Sequence, residues 1–122
     1  MLFDTYAWVE FFNGTKKGKI VKNMLKTKTC YTSAISIAEL SAWIEKTENE
    51  RKKTFEDIKK FSTIISIDNS TLESAGIIKA EKRKNTKGIG LVDCIIISTG
   101  RQYNLQIVTG DKHFKEENAL MI

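Results

Sequence analysis

Four acidic residues of the chain are unusual because they stand among apolar neighbours. Asp4 directly follows a short apolar run, and Asp111 follows another, residues 105–108, after only two intervening residues. Glu39 and Asp93 each have apolar residues one helical turn before and one helical turn after them. Acidic side chains are normally exposed to water, so acids in such surroundings are candidates for a functional site.

Carboxylates that lie together without basic partners need a counter-charge, because burying an unpaired ion costs several kcal/mol. A divalent cation supplies that charge, and oxygen ligands without a His or Cys cluster suit Mg²⁺ or Mn²⁺. Such a cation can polarise a phosphate group, lower the pKa of a bound water and stabilise a leaving oxygen. The four acids together therefore predict metal-dependent phosphodiester hydrolysis, although each acid taken singly is more simply explained as a helix cap or a partner of lysine.

The order of apolar segments predicts the elements that position these acids. Helices are expected between five short strands, at residues 2–3, 30–32, 64–67, 105–108 and 119–122. Apolar strands that alternate with helices indicate a parallel sheet covered on both faces, and therefore an α/β fold. In such sheets ligands bind at the carboxyl ends of the strands, where Asp4 and Asp111 are predicted to lie. Ser70 or Thr71 is predicted to cap the helix after the third strand.

Length and composition limit the classes of protein to consider. With 122 residues, the chain is expected to form a single domain over residues 1–122. Hydrophobic residues make up 41% and charged residues 29%, so a folded core is expected. Two cysteines and one histidine leave no basis for a disulfide scaffold or a structural zinc site. No stretch approaches the roughly 18 apolar residues of a membrane span, so the expected location is the cytoplasm, without membrane attachment.

The net charge of +5 and the pI of about 9.2 permit a polyanionic partner. The densest basic run precedes the helix of Asp93 and contains Lys82, Arg83, Lys84 and Lys87. A basic rim beside an acidic site can bind an RNA backbone. The same residues are equally well explained as a solvated helix end, where the helix dipole favours cations.

Four segments of the chain resemble the four motifs of PIN-domain ribonucleases. They are MLFDTYAWV at residues 1–9, SIAEL at 36–40, GLVDCIII at 90–97 and VTGDKHF at 108–114. More narrowly, they resemble VapC-type toxins of bacterial and archaeal toxin–antitoxin pairs, and their order and spacing cover nearly the whole chain. The resemblance implies a three-layer α/β/α sandwich with a central parallel sheet, a metal-dependent endoribonuclease acting on single-stranded or looped RNA, a homodimer, and inhibition by a cognate antitoxin.

The resemblance also implies roles for particular residues. Those that would hold Mg²⁺ or Mn²⁺, with the last one more variable, are Asp4, Glu39, Asp93 and Asp111. Thr109 matches the hydroxyl residue that often stands two positions before the last acid. Tyr6 departs from the common pattern, in which a small polar residue is frequent, and is expected to alter the shape of the pocket. His113 has no second His or nucleophilic partner near it in the motif, so it is expected at the surface.

Two other functions remain open on the sequence. One is a non-enzymatic signalling module similar to a receiver domain, which also binds Mg²⁺ through acids at strand ends. Such a module needs an acceptor Asp after a central strand near mid-chain and a Lys after a late strand. Here the middle strand is followed by Asp68 in a dissimilar context, and the late strand is followed by Thr109, Gly110 and Asp111 without Lys. The other is a catalytically inactive PIN-like RNA-binding module, against which the four intact acids argue.

Overall fold

The structure is a computed structural model that describes residues 1–122, and it alternates short strands with helices. The strands are β1 (Leu2–Phe3), β2 (Tyr31–Ser33), β3 (Thr63–Ile65), β4 (Ile107–Thr109) and β5 (Ala119–Met121). The helices are α1 (Thr5–Asn13), α2 (Lys16–Thr27), α3 (Ala34–Ile44), α4 (Arg51–Phe61), α5 (Asn69–Lys82), α6 (Leu91–Gln102) and a short 3₁₀ helix (Lys112–Phe114). All five predicted strands are present, with ends shifted by at most two residues. No helix combines the length and the apolar character needed to cross a membrane.

The five strands form one sheet in the order β3-β2-β1-β4-β5, and every neighbouring pair is parallel. β1 is central, with Leu2 opposite Tyr31 of β2 and Ile107 of β4. The chain moves outwards from β1 through β2 to β3 and then returns on the other side of β1 as β4. This reversal creates a topological switch point between β1 and β4, where Asp4 and Asp111 follow the carboxyl ends of the two strands. The predicted α/β fold is confirmed.

Two hydrophobic clusters cover the two faces of the sheet. Successive strand residues point to opposite faces, so Leu2 packs with α5 and α6 while Phe3 packs with α1, α2, α3 and α4. β4 alternates in the same way, with Ile107 in the first cluster and Val108 in the second. Helices on both faces of a parallel sheet make up the three-layer α/β/α sandwich that the family resemblance implied.

Local hydrogen bonds explain where element ends differ from the sequence-based prediction. Asp68 caps α5, rather than Ser70 or Thr71, because its Oδ1 accepts hydrogen bonds from the backbone N–H and the hydroxyl of Thr71, both at 2.8 Å. β4 begins two residues later than predicted. The reason is that the Leu105 N–H donates to the Gly100 carbonyl of α6 at 2.8 Å, which keeps Leu105 in the turn that ends the helix.

Two ion pairs centred on the largely buried Glu117 join the C-terminal part of the chain to α5 and α6. The Glu117 carboxylate lies 2.9 Å from the Lys82 ammonium and 3.0 Å from the Arg101 guanidinium, and its side chain is 8% exposed. Burial raises the pKa of Glu117, but the hydrogen bonds from Arg101 and Lys82 outweigh it and hold that pKa below its usual value. The Lys82 side chain is itself only 11% exposed. Lys82 is therefore an internal ion-pair partner, which corrects its prediction as part of an exposed RNA-binding run.

Candidate active site

Asp4 and Asp111 are held at the switch point by hydrogen bonds that begin the elements after β1 and β4. Asp4 is buried and is the N-cap of α1, where its Oδ1 accepts the Ala7 N–H at 2.9 Å. Asp111 caps the 3₁₀ helix in the same way and accepts the backbone N–H of His113 at 2.9 Å. Thr109 lies between the two acids. Its Oγ1 accepts the Asp111 N–H at 3.0 Å, and its hydroxyl hydrogen-bonds to the Asp4 carboxylate.

The other two acids reach the same place from helices. Glu39 lies on α3, and its Oε1 accepts a hydrogen bond from the Thr5 hydroxyl at the start of α1, at 2.5 Å. Asp93 lies in the first turn of α6, where its Oδ2 accepts a long hydrogen bond of 3.4 Å from the N–H of Gly90. The Glu39 carboxylate is therefore oriented by a hydroxyl of a neighbouring helix, and the Asp93 carboxylate by the N-cap residue of its own helix.

All four acids predicted from the sequence line one cleft of about 500 Å³. The other residues that line it are Thr5, Tyr6, Ile96, Gly110, Lys112 and His113. Thr109 lies directly behind the cleft, fully buried. The structure thus brings together the whole predicted set of metal-binding acids.

The electrostatics of the cleft show that these acids interact. Burial raises the pKa of Asp4 from its usual 3.8 to about 7, in spite of the hydrogen bonds from Thr109 and Ala7, and the charges of Asp111 and Asp93 raise it further. Burial also raises the pKa of Asp93, and the charges of Asp111 and Glu39 add to that effect. A site of this kind favours either a bound proton or a bound cation.

The donor set of the cleft fits a hard divalent cation. Four carboxylates supply oxygen ligands, which suit Mg²⁺ and Mn²⁺. One ligand atom from each of Asp93, Asp111 and His113 lies within 4.8 Å of those of the other two. The raised pKa values of Asp4 and Asp93 mean that no nearby positive group fully offsets the cost of burying these two carboxylates in their charged form.

The sequence analysis assigned His113 no part in the site, whereas the structure shows it lining the cleft. Its side chain is 34% exposed, and its Nδ1 lies 2.9 Å from Oδ1 of Asp111. The 3₁₀ turn that Asp111 caps folds residue 113 back towards the acid. The available signal in the sequence was the spacing, since a residue two positions after a capping Asp lies within the same short turn.

Tyr6 forms part of the cleft wall and is held there by two neighbours. Its ring packs against Gly110 so closely that a Cβ on Gly110 would lie 2.2 Å from a ring carbon. Its hydroxyl oxygen accepts a hydrogen bond from the Lys17 ammonium at 3.0 Å, while that ammonium is 5.4 Å from the ring centre. These two distances place the ammonium beyond the hydroxyl edge of the ring. The sequence therefore identified Tyr6 as a pocket residue but gave no sign of its contact with Lys17.

The remaining basic residues of the predicted run are exposed. Arg83, Lys84 and Lys87 lie in the turns between α5 and α6, close in sequence to Gly90 and Asp93. Lys112, which the sequence analysis did not single out, lines the cleft itself. Basic side chains are thus present both within the acidic cleft and on the loop that leads into α6.

Comparison with known proteins identifies the family. The sequence model of the PIN domain matches residues 1–118. The chain belongs to the PIN domain family. The resemblance of its four motifs is therefore confirmed. A comparison with curated proteins gives no match for this PIN domain.

Solved structures similar to this PIN domain include toxin–antitoxin proteins. A toxin–antitoxin complex from Klebsiella pneumoniae has a TM-score of 0.78 at 22% identity, over 98% of this chain and 95% of that chain. VapBC2 from Rickettsia felis, bound to a DNA fragment from its promoter, has a TM-score of 0.77 at 20% identity, over 99% and 96%. VapC20 from Mycobacterium tuberculosis, a sarcin–ricin loop cleaving toxin, has a TM-score of 0.69 at 14% identity, over 87% and 85%. The likeness establishes a shared fold.

These findings exclude the receiver-like signalling module. Its mid-chain acid would be Asp68, but Asp68 follows the edge strand β3, caps α5 and does not line the cleft. The strand-end acids of the cleft, Asp4 and Asp111, follow β1 and β4 instead. The catalytically inactive PIN-like module is a variant of the same family.

The raised pKa of Asp4 predicts how the stability of the cation-free protein depends on pH. Between about pH 4 and pH 7 the folded state keeps a proton on Asp4 that the unfolded state has lost, so the free energy of unfolding should fall as the pH rises through this range. Asp4→Asn removes the titrating group but keeps an N-cap, so most of the fall should disappear. Denaturant unfolding in EDTA at several pH values measures this difference, which amounts to a few kcal/mol at most.

Asp68→Asn is the matched control, because Asp68 is also an N-cap but has the opposite pKa shift. Hydrogen bonds from Thr71 lower the pKa of Asp68, so its contribution to stability is present above about pH 4 and is lost only in stronger acid. This variant should keep the wild-type fall between pH 4 and pH 7. An Asp4→Asn protein with an undiminished fall would show that Asp4 is ionised in the folded state throughout this range.

Proposed function

We propose that this PIN domain is a Mg²⁺- or Mn²⁺-dependent endoribonuclease that cleaves single-stranded or looped RNA. The observation that carries the proposal is the convergence of the four carboxylates on one cleft, two from strand ends and two from helices. Acids that serve only as caps or lysine partners have no reason to meet at the topological switch point of the sheet. Ligands bind at such points in open α/β sheets, which supports a catalytic use of the cleft.

Asp4, Glu39, Asp93 and Asp111 are the residues that would hold the cation. When bound, the cation would neutralise their charge, polarise the phosphodiester and activate a water molecule for hydrolysis. Thr109 and Ala7 hold the Asp4 carboxylate, and Thr5 holds that of Glu39. These contacts fix the orientation of the acids before any ligand arrives, which is how catalytic groups are usually preorganised.

The substrate is proposed from charge and family together. An RNA strand that enters an acidic cleft needs basic contacts for the phosphates that flank the reacting one. Lys112 lines the cleft, and Arg83, Lys84 and Lys87 are exposed on the loop before α6, so we propose that these residues supply the contacts. The sarcin–ricin loop cleaving activity of VapC20 from Mycobacterium tuberculosis, a protein of the same fold, supports RNA as the substrate class.

We further propose that the protein is the toxin of a VapBC-type pair and is neutralised by a cognate antitoxin. The similar structures from Klebsiella pneumoniae and Rickettsia felis are toxin–antitoxin complexes, which supports an antitoxin partner for this chain. We also propose that residues 1–122 form a single functional unit and that the protein is a homodimer. Its proposed location is the cytoplasm, where the RNA is found. The catalytically inactive alternative is disfavoured because a module that only binds RNA gains nothing from four mutually repelling acids.

Cleavage assays test the catalytic role of the acids. The protein should cleave labelled single-stranded RNA in Mg²⁺ or Mn²⁺ and lose this activity in EDTA. Asp4→Asn and Asp93→Asn should each abolish cleavage while the circular dichroism spectrum stays unchanged, because each substitution removes a charge at the cation. Asp68→Asn, which changes a capping acid outside the cleft, should retain activity. Cleavage by the Asp93→Asn protein without any divalent cation would contradict the proposed cation-dependent mechanism.

A salt titration tests the basic loop between α5 and α6. If Arg83, Lys84 and Lys87 contact phosphates, replacing all three with Gln should flatten the plot of log K against log salt by up to about 0.7 per lost contact for single-stranded RNA. Binding is measured with a non-cleaving Asp93→Asn background. The matched control replaces the exposed Lys52, Lys59 and Lys60 of α4 with Gln. Equal slopes for the loop variant and its parent would mean that the loop is only a solvated helix end.

A further inference from the structure

His113 has an unsatisfied nitrogen inside the acidic cleft. It is the only histidine of the chain. Its Nδ1 is shielded from water and has no hydrogen-bond partner, although it lies 2.9 Å from Oδ1 of Asp111. Buried polar atoms are nearly always paired, so an unpaired one beside a carboxylate needs an explanation.

An ordinary Asp–His hydrogen bond does not provide that explanation. The distance between Nδ1 and Oδ1 is short enough for one, but the ring is not aligned for an N–H to point at the oxygen. The same Oδ1 already accepts the backbone N–H of His113 at 2.9 Å. Gly88 lies beside the other edge of the ring, where an added Cβ would be 3.6 Å from Nε2. The nitrogen and the oxygen are therefore held side by side rather than pointed at each other.

Two donor atoms side by side match adjacent ligands of one cation. Around an octahedral cation with bonds of about 2.1 Å, adjacent ligand atoms lie roughly 3 Å apart. The 2.9 Å between Nδ1 of His113 and Oδ1 of Asp111 agrees with that spacing. One ligand atom from each of Asp93, Asp111 and His113 also lies within 4.8 Å of those of the other two residues. The arrangement places three candidate ligand residues close together in the cleft.

We propose that His113 is a nitrogen ligand of the cation, beside the carboxylates of Asp93 and Asp111. This inference rests on the proposed function, since it assumes that the cleft holds a divalent cation. An imidazole ligand favours transition-metal ions, whereas Mg²⁺ prefers carboxylates and water. The consequence is a stronger preference for Mn²⁺ over Mg²⁺ than a site built only from the four acids would have.

Pulsed electron paramagnetic resonance on Mn²⁺-loaded protein tests the ligand directly. Because the chain has a single histidine, imidazole ¹⁴N coupling to Mn²⁺ in this chain, prepared without tag histidines, has one possible source. The wild type should show this coupling, and His113→Gln should lose it. Asp68→Asn, which alters an acid outside the cleft, should keep it.

Calorimetric titration with Mn²⁺ and Mg²⁺ supplies the second measurement. His113→Gln should weaken Mn²⁺ binding by about 10-fold or more and change Mg²⁺ binding much less. Tight Mn²⁺ binding by the wild type without ¹⁴N coupling would overturn the ligand assignment and leave the four-acid site intact. Absence of Mn²⁺ binding by the folded wild type would overturn both this inference and the proposed cation-dependent function. The presence or absence of ¹⁴N coupling in the wild-type spectrum tests the ligand assignment even if His113→Gln fails to fold.

Discussion

Repulsion between carboxylates at the carboxyl edge of the sheet is the constraint that organises this part of the molecule. Parallel pairing of β1 with β4 brings Asp4 and Asp111 to the same edge, and α3 and α6 add Glu39 and Asp93. Burial and mutual repulsion raise the pKa values of Asp4 and Asp93. Such a cluster lowers the stability of the fold, so interactions in other parts of the molecule must compensate for it.

Short polar side chains and close packing hold the acids against that repulsion. The Thr109 side chain hydrogen-bonds to the backbone N–H of Asp111 and to the carboxylate of Asp4. The Thr5 hydroxyl hydrogen-bonds to the carboxylate of Glu39. The absence of a side chain at Gly110 lets the Tyr6 ring close one wall of the cleft. On the far side of β4, the ion pairs of Glu117 tie the C-terminal segment to α5 and α6. These contacts hold the acids in defined positions, which suits the proposed cation site.

The sequence predicted those features that depend on local pattern. Asp4 and Asp111 could be placed because apolar strands of a parallel sheet end at one edge, and Glu39 and Asp93 because they interrupt apolar helix faces. Features that depend on distant partners could not be predicted. Lys82 looked like a surface cation until the fold brought Glu117 to it. His113 looked isolated because its relation to Asp93 exists only after α6 and the 3₁₀ turn have packed together.

Thermal unfolding of the wild type and of Asp93→Asn, each with EDTA and with Mg²⁺, tests the central claim that one cation relieves the repulsion of the four acids. Asp93→Asn should melt above the wild type in EDTA, because it removes one of the repelling charges. Mg²⁺ at ~100 times its Kd should stabilise the wild type by about 2.7 kcal/mol, a melting shift of a few degrees, and the variant much less. A variant that melts lower than the wild type in EDTA and gains as much from Mg²⁺ would contradict this account.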